Sequence, residues 1–379
     1  MNTKTKIVIA PDSFKESLTS LEAGTAIKEG FEKIFPEAEY IIVPMADGGE
    51  GTVQSIVDAT DGDIKEINVT GPLFESIPAH YGLSGDKKLA IIEMASSSGL
   101  DKVPFDQRNP LKTTTWGFGE LIKDALDEGV EELLLGIGGS ATNDGGVGMA
   151  QALGAKLVDE NSEPIVPTGE GLSDLSSIDL SNMHRRLQEV KIRVACDVNN
   201  PLTGKTGASH IYGPQKGGTL EQIEFLDNNL NHFASVIKKD LDVDIQHVAG
   251  AGAAGGLGAG LIAFAGAELE QGGDLVIDTL NLEDQMQGAT LVITGEGGIN
   301  HQTQYGKTPV AVSKVAKKNN VPCIAIAGCM KDDYDGIYDE GINAAFSIIP
   351  NLDTLDNILN EGYENLKNAS YNLARLYKL

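Results

Sequence analysis

The chain has 379 residues, a length typical of two α/β domains rather than of one small core. Its formal net charge is −26 at pH 7, and a surface of this sign repels polyanions. These facts argue against nucleic acid and an anionic membrane as partners and favour a small-molecule ligand.

The N-terminal residues and the cysteines predict a cytoplasmic location. Residues 1–6 are polar, and the apolar run Ile7–Ala10 is far too short for the core of a signal peptide. Cys196, Cys323 and Cys329 form no CxxC pair and have no zinc-ligand spacing, which is typical of thiols in a reducing compartment. The sequence leaves homo-oligomerisation open.

The first elements along the chain alternate between strand and helix. Strands are predicted over Lys6–Ala10 and Tyr40–Pro44, and a second helix is predicted to begin near Gly51. Between the strands, Thr19 and Glu22 have the spacing of a helix capping box. This alternation predicts a parallel sheet.

The middle of the chain has a different pattern, which predicts an inserted domain. Short alternating segments with turn residues predict antiparallel strands that continue through Leu89–Met94. Strands from Leu291 onwards are expected to join the opening sheet. We therefore predict an α/β fold in which a flavodoxin/Rossmann-like parallel-sheet domain (residues 1–66 and 275–379) is interrupted by a second, mixed α/β domain (residues 67–274).

Two loops share the pattern Asp-Gly-Gly-x-Gly, namely Asp47–Gly51 and Asp144–Gly148. Each follows an apolar strand and leads into a helix, whose first backbone N–H groups are unpaired and favour anions. The aspartate of such a loop is suited to holding Mg²⁺ or to accepting a proton from an attacking hydroxyl. Helix capping is the alternative role for each aspartate.

Four further loops are expected at the carboxyl ends of parallel strands, where open α/β sheets bind ligands. They are Asp12–Lys15, Gly138–Asn143, Asp197–Gly207 and Gly295–Gly297. Lysines near these loops can offset the charge of a transferring phosphoryl group, although an idle surface position is the alternative for each. They are Lys15, Lys205, Lys216 and Lys307.

Two familiar nucleotide-binding motifs are rejected. Gly204–Thr206 and Gly306–Thr308 both read Gly-Lys-Thr, the end of a P-loop, but the required first glycine is absent from each. Gly250–Gly255 matches GxGxxG, but no convincing strand precedes it. Thr308 and Pro309 instead predict the N-cap and first residue of a helix.

The glycines that follow are interpreted as packing residues. Gly252, Gly256 and Gly260 recur at a spacing of four and would share one face of a helix. Close helix packing is the favoured role, and ligand contact is the lesser one.

Eight motifs taken together, in chain order, resemble the bacterial type I glycerate kinases. They are PDSFKESL (11–18), PMADGGEGT (44–52), RNPLKTTTWGFGEL (108–121), GIGGSATNDGG (136–146), ACDVNNPLTGKTGA (195–208), YGPQKG (212–217), GAGAAGGLG (250–258) and TGEG with QTQYGKTP (294–297 and 302–309). The resemblance covers nearly the whole chain. It implies ATP-dependent phosphorylation of D-glycerate to a phosphoglycerate, on a flavodoxin-like domain interrupted by a second α/β domain, without a Walker A loop.

The loops and the resemblance together give a set of candidate site residues, with ATP and Mg²⁺ as cofactors. The catalytic candidates are Asp47, Asp144, Asp197 and Lys15, and the metal candidates are Asp47 and Asp197. The candidates for binding substrate or phosphate are Asp12, Ser13, Gly48, Gly49, Glu50, Gly138, Gly139, Ser140, Thr142, Asn143, Lys216, Glu296 and Lys307. Which aspartate accepts the proton is left open, as is the choice between a 2-phospho and a 3-phospho product.

Two alternative functions remain open at this point. One is a kinase for another small hydroxy acid. The other is a ligand-binding homologue without turnover, because Gly298 and Asn300 stand where the family pattern usually has an arginine and an aspartate.

Overall fold

The computed structural model describes residues 5–49, 51–305, 307–331 and 333–379. These residues form two compact units, each built from separate stretches of chain. The first unit contains the described residues up to Asp47, Gln54–Asp61 and Gly273–Leu379, and the second contains Gly48–Val53 and Gly62–Gly272. Domain boundaries at 66/67 and 274/275 stay a prediction.

The strands, in chain order, are β1 (Lys6–Pro11), β2 (Glu39–Ile42), β3 (Asp63–Thr70), β4 (Ser76–Leu83), β5 (Leu89–Glu93), β6 (Glu132–Gly136), β7 (Lys156–Val158), β8 (Ser177–Asp179), β9 (Lys191–Ala195), β10 (Glu268–Glu270), β11 (Leu291–Ile299), β12 (Cys323–Met330) and β13 (Ala344–Ser347). The helices are α1 (Ser20–Glu32), α2 (Thr52–Ala59), α3 (Ala95–Ser98), α4 (Trp116–Asp127), α5 (Val147–Ala152), α6 (Ala208–Tyr212), α7 (Leu220–Leu241), α8 (Ala253–Ala265), α9 (Gly272–Thr279), α10 (Leu282–Met286), α11 (Thr308–Lys318), α12 (Gly336–Asp339), α13 (Leu355–Asn360) and α14 (Gly362–Tyr377).

The first unit is built on a five-stranded parallel sheet of order β13-β12-β11-β1-β2. Residues 7–10 of β1 and 291–293 of β11 are apolar, as expected for a sheet covered on both faces, and Ile7, Ile9 and Ile293 are fully buried. The predicted parallel sheet built from both ends of the chain is confirmed. Because Pro11 pairs with Gly295, the residues that follow β1 lie beside the end part of β11.

Helix α1 begins as the sequence predicts. The Thr19 side chain accepts a hydrogen bond from Glu22 N, and the Glu22 carboxylate accepts one from Thr19 N, so the capping box is complete. The box fixes where the chain turns after β1, because it ends the loop that carries Asp12 and Lys15.

The second unit is built on a six-stranded mixed sheet of order β10-β9-β6-β5-β4-β3. Strands β3, β4 and β5 are antiparallel neighbours, as predicted, whereas β5, β6, β9 and β10 are parallel. Glycine-rich loops therefore leave one edge of this sheet, at the carboxyl ends of β6 and β9. A two-stranded antiparallel sheet of β7 and β8 accompanies it.

The prediction that three glycines share one continuous helix face is wrong. Residues 254–256 inside α8 have left-handed backbone angles, with φ of +52°, +69° and +89°, so the helix is interrupted there. The close packing itself is present, because an added Cβ at Gly255 would overlap the Thr142 carbonyl oxygen and one at Gly260 would overlap Gly145 O. The segment therefore supports the loop after β6.

Among the described residues, no helix combines the length and the apolarity that crossing a bilayer requires.

Candidate active site

Three carboxylates gather at the carboxyl ends of the strands in the first unit. Asp12 directly follows β1, Glu296 lies near the end of the neighbouring β11, and Asp47 comes after β2. Asp12 N donates to Gly295 O at 2.8 Å, and Met45 N donates to Pro11 O at 3.0 Å. The parallel register thus brings together residues that are far apart in the sequence.

Within this acidic cluster (Asp12, Asp47 and Glu296), burial makes the ionisation of Asp12 and Glu296 costly. The pKa of Glu296 rises to about 7, first because of burial and further because of the negative charges of Asp12 and Asp47. The pKa of Asp12 rises to about 6, again first because of burial and then because of Asp47. The cluster therefore holds groups that can exchange a proton near neutral pH.

Two threonines orient these carboxylates, a role that no sequence pattern indicated. Thr308 Oγ1 donates to Asp12 Oδ2 at 2.7 Å, and Thr303 Oγ1 donates to Glu296 Oε1 at 2.7 Å. The predicted N-cap role of Thr308 is wrong, because the cap residue of α11 is Lys307 and the Thr308 hydroxyl is used on Asp12. Both threonines belong to a motif singled out from the sequence, but a pattern does not reveal the partner of a hydroxyl.

The other candidates of the first unit surround this cluster. Ser13 N donates to Asp12 Oδ1 at 2.6 Å, and the charge of Lys15 opposes the rise in the pKa of Asp12. Lys307 Nζ lies 3.8 Å from Glu296 Oε2. Lys15 is exposed and Lys307 is partly exposed, so both cations face solvent and can meet an anion.

Glu296→Gln is expected to remove a pH-dependent loss of stability. A pKa raised from 4.5 to about 7 means that the folded protein holds this proton more tightly than the unfolded chain does. The stabilisation is fully present below pH 4.5 and is lost as the pH rises through 7, which corresponds to about 3 kcal/mol at most. Denaturant unfolding in metal-free buffer at pH 5 and pH 8 measures this effect. Relative to the wild type, Glu296→Gln should have a higher free energy of unfolding at pH 8 than at pH 5.

Glu37→Gln is the matched control, because Glu37 is an exposed glutamate of the same unit. The difference in free energy of unfolding between Glu37→Gln and the wild type should be the same at both pH values. If the difference in free energy of unfolding between Glu296→Gln and the wild type were also the same at pH 5 and pH 8, the raised pKa would be contradicted.

In the second unit, the residues Gly138–Asn143, here called the 138–143 loop, follow β6. Gly138 and Gly139 are exposed, and Gly139 has a φ of +74°, a conformation suited to glycine. In the part of the chain that the structure describes, the backbone N–H groups of Gly138, Gly139 and Ser140 have no hydrogen-bond acceptor. Such donors can bind an oxyanion.

The remaining candidates of this loop point inward. Asn143 is buried and exchanges hydrogen bonds with the Ser209 hydroxyl at 3.2 to 3.3 Å. Thr142 is fully buried, and its hydroxyl has no partner among the described residues. Lys216, which the sequence offered as a ligand-binding cation, is only 1% exposed.

Asp144 is fully buried and its carboxylate accepts four hydrogen bonds from the protein. Thr115 donates through its backbone N at 2.9 Å and its hydroxyl at 2.7 Å, and Gly146 N and Gly148 N donate at 3.1 and 3.4 Å. Burial raises the pKa of Asp144, and these bonds oppose the rise. The arrangement favours a structural role for Asp144, although it is not the cap residue that the sequence offered as the alternative, because the N-cap of α5 is Gly146.

The other aspartate loops of the second unit present more accessible groups. Asp197 follows β9, is exposed, and accepts a hydrogen bond from Gly272 N at 2.9 Å through Oδ1. Gly48 has a φ of +83°, and an added Cβ would lie 2.6 Å from Ala195 Cβ, so only glycine fits there. Gly49 is partly exposed, and its carbonyl oxygen accepts from Thr52 N at 3.3 Å. Glu50 lies outside the described residues.

A cation would have to be held by few protein ligands. Within the described ranges, no three histidine, cysteine or acidic side chains, those of the acidic cluster included, are arranged so that they could hold a metal ion together. Mg²⁺ is commonly bound by one or two carboxylates together with substrate phosphates and water. The accessible carboxylates Asp47 and Asp197 fit that chemistry, whereas Asp144 does not.

Comparison with known proteins gives a consistent result. The model of the "Glycerate kinase family" matches residues 7–378. The chain is 54% identical to a glycerate kinase of Halalkalibacterium halodurans, covering 99% of this chain and 98% of the relative. It is also 54% identical to a glycerate 2-kinase of Escherichia coli, covering 97% of each.

A solved structure extends this similarity to the fold. The crystal structure of a putative glycerate kinase 2 from Salmonella typhimurium LT2 is 53% identical, covers 99% of this chain and 98% of its own, and has a TM-score of 0.93. The α/β fold is therefore shared with this structure over nearly the whole chain, and the chain belongs to the glycerate kinase family.

Proposed function

We propose that the chain is a glycerate kinase that transfers the γ-phosphoryl group of ATP to a hydroxyl group of D-glycerate. The observation that carries the proposal is identity above 50%, over nearly the full length, to proteins named glycerate kinase. The acidic cluster of the first unit and the 138–143 loop of the second unit support it, since phosphoryl transfer requires anion binding, metal-binding carboxylates and a proton acceptor.

The proposed product is 2-phosphoglycerate. One relative with 54% identity is named a glycerate 2-kinase, and that name is the only observation that favours the 2-hydroxyl. Phosphorus NMR of the product distinguishes the 2-phospho from the 3-phospho compound.

In the proposed reaction, the hydroxyl oxygen of glycerate forms a bond to the γ-phosphorus of ATP. The bond between that phosphorus and the bridging oxygen breaks, ADP leaves, and the hydroxyl proton passes to a carboxylate. Asp47 and Asp197 are the proposed proton acceptors, because Asp144 already accepts four bonds inside the protein. The raised pKa values of Asp12 and Glu296 give the cluster beside Asp47 a further capacity to share a proton.

The proposed anion-binding groups are backbone donors and exposed cations. The free N–H groups of Gly138, Gly139 and Ser140 would hold a phosphate or the glycerate carboxylate. Lys15 and Lys307 would offset charge on the transferring phosphoryl group. Mg²⁺, held by Asp47 or Asp197, would supply charge neutralisation of the phosphates.

The net charge of the chain also bears on the proposed partners. The proposed partners are ATP and D-glycerate rather than nucleic acid, given the net charge of −26, and the proposed location is the cytoplasm.

ATP consumption with and without D-glycerate tests the reaction class and the acceptor together. ADP should form at least 100-fold faster with D-glycerate and Mg²⁺ than with either one left out. A panel of other small hydroxy acids separates glycerate from related acceptors. Binding of ATP and glycerate without product would instead identify a homologue without turnover and overturn the proposal.

A further inference from the structure

Lys216 is a buried cation directly behind the 138–143 loop. It ends the short 3₁₀ turn Pro214–Lys216 and is 1% exposed. Its Nζ donates to Ser140 Oγ at 2.7 Å and to Thr142 O at 2.7 Å. A ligand in solution cannot reach this ammonium, so its effect on a ligand must pass through the loop.

The hydrogen bonds of the loop are sorted by direction. Three of its carbonyl oxygens accept hydrogen bonds from within the protein: Gly139 O from Leu100 N at 2.8 Å, Ala141 O from the Thr113 hydroxyl at 3.0 Å, and Thr142 O from Lys216 Nζ at 2.7 Å. Its first three N–H groups, from Gly138 to Ser140, have no acceptor among the described residues. The exposed Gly138 and Gly139 therefore have backbone donors available to a ligand, while contacts within the protein hold three carbonyl oxygens of the loop.

The charge of Lys216 is incompletely balanced inside the protein. In the described part of the chain, no carboxylate forms an ion pair with its Nζ, and Asp144 acts on it only through its charge. Burial lowers the pKa of Lys216 to about 7, and the charge of Asp144 opposes that change. A buried, poorly compensated cation is stabilised by any anion that approaches it.

We propose that Lys216 is a positioning residue, which fixes the 138–143 loop and places a positive charge behind it, so that a substrate oxyanion binds to the N–H groups of residues 138–140. The inference rests on the proposed function, since the oxyanion is a phosphate of ATP or the carboxylate of glycerate. Lys216 itself does not touch the substrate.

Lys216→Met tests this proposal because methionine keeps most of the buried aliphatic volume and removes both hydrogen bonds and the charge. We expect kcat/KM to fall by about 100-fold, in the range found when one preorganised oxyanion-binding group is lost. Separate KM values for ATP and for D-glycerate identify the source of the oxyanion, because the KM of the substrate on the loop should rise most. Lys123→Met is the control, since Lys123 is exposed on α4, and it should leave both KM values unchanged.

A second readout reports the charge rather than the fold. Calorimetry of Mg²⁺·ATP and of D-glycerate in buffers of different ionisation enthalpy, at pH 7.5 to 8, measures the protons taken up on binding. The wild type should take up more protons than Lys216→Met with one of these substrates, because a bound anion favours protonation of Lys216. Subtracting the proton uptake of Lys216→Met from that of the wild type cancels the contribution from protonation of ATP itself.

Ser140→Ala gives an independent variant in case Lys216→Met does not fold. It removes one of the two acceptors of Nζ and should lower kcat/KM by about 10-fold, the effect of one lost hydrogen bond to a charged group. In the double variant the two losses should not add, because both act through the same contact.

Kinetics like those of the wild type for either foldable variant, or equal proton uptake with and without Lys216, would overturn the inference. These outcomes differ from failure of the proposed function, in which the wild type itself forms no product.

Discussion

Asp47→Asn is expected to lower kcat by about 100-fold to 1,000-fold while leaving the protein at least as stable as the wild type. The loss follows from removal of a carboxylate that is proposed to hold Mg²⁺ or accept the hydroxyl proton. Stability should not fall, because the charge of Asp47 contributes to the raised pKa values of Asp12 and Glu296, and its removal relieves that repulsion. Steady-state kinetics and thermal unfolding of the same preparation measure both effects.

Two further measurements separate the two proposed roles of Asp47. If Asp47 holds the metal, the variant should need a higher Mg²⁺ concentration to reach half of its maximal rate. If Asp47 accepts the proton, the Mg²⁺ requirement should stay unchanged, and the acidic limb of the pH–rate profile should be lost.

Asp61→Asn is the matched control for Asp47→Asn. Asp61 is exposed, belongs to the same unit, and has a φ of +50°, which asparagine adopts readily. It should retain the activity of the wild type. Turnover by Asp47→Asn at the wild-type rate would remove Asp47 from the proposed machinery.

The order of the elements could be predicted from the sequence because each strand and helix carries local signals. The capping box of Thr19 and Glu22 and the apolar runs Ile7–Ala10 and Leu291–Ile293 are examples, and parallel pairing follows from the alternation. The return of the last strands to the first sheet was predictable for the same reason.

Side-chain partners within the candidate site could not be predicted in this way. The bond from Thr308 to Asp12 joins residues 296 positions apart, and the bond from Lys216 to Ser140 joins residues 76 apart. Such pairs depend on sheet register and loop conformation, which no local pattern encodes. Lys216 was predicted to be a ligand-binding cation because it lies near the loops expected at the carboxyl ends of the strands, and its burial could not be inferred from that position.

The left-handed residues 254–256 illustrate the same limit. A spacing of four between glycines predicts a helix face, yet here glycine serves the positive φ and the close approach to Thr142 and Gly145. A high glycine content indicates that the backbone closely approaches another group. Which group it approaches depends on the tertiary structure. In this case the partner is the loop that carries the proposed anion-binding donors.

Asp144→Ala is expected to lower the free energy of unfolding by about 3 kcal/mol. The alanine would leave the Thr115 hydroxyl and three backbone N–H groups without their acceptor, and each buried unsatisfied donor costs roughly 1–3 kcal/mol before relaxation. Thr115 Oγ1 also accepts from Met149 N at 2.9 Å, so the Asp144 carboxylate and the Thr115 hydroxyl together join the start of α4 to α5.

Asp144→Asn separates this structural role from a catalytic one. An amide oxygen in the place of Oδ2 can keep the bonds from Thr115 and Gly148, while the amide nitrogen would face Gly146 N and lose that bond. We therefore expect the asparagine variant to lose about 1 kcal/mol and to keep kcat within about threefold of the wild type. Denaturant unfolding and the turnover rate of the folded fraction are the measurements. If turnover instead slowed by about 100-fold or more at nearly unchanged stability, the buried carboxylate would take part in the chemistry, and the four donors would serve to keep it ionised.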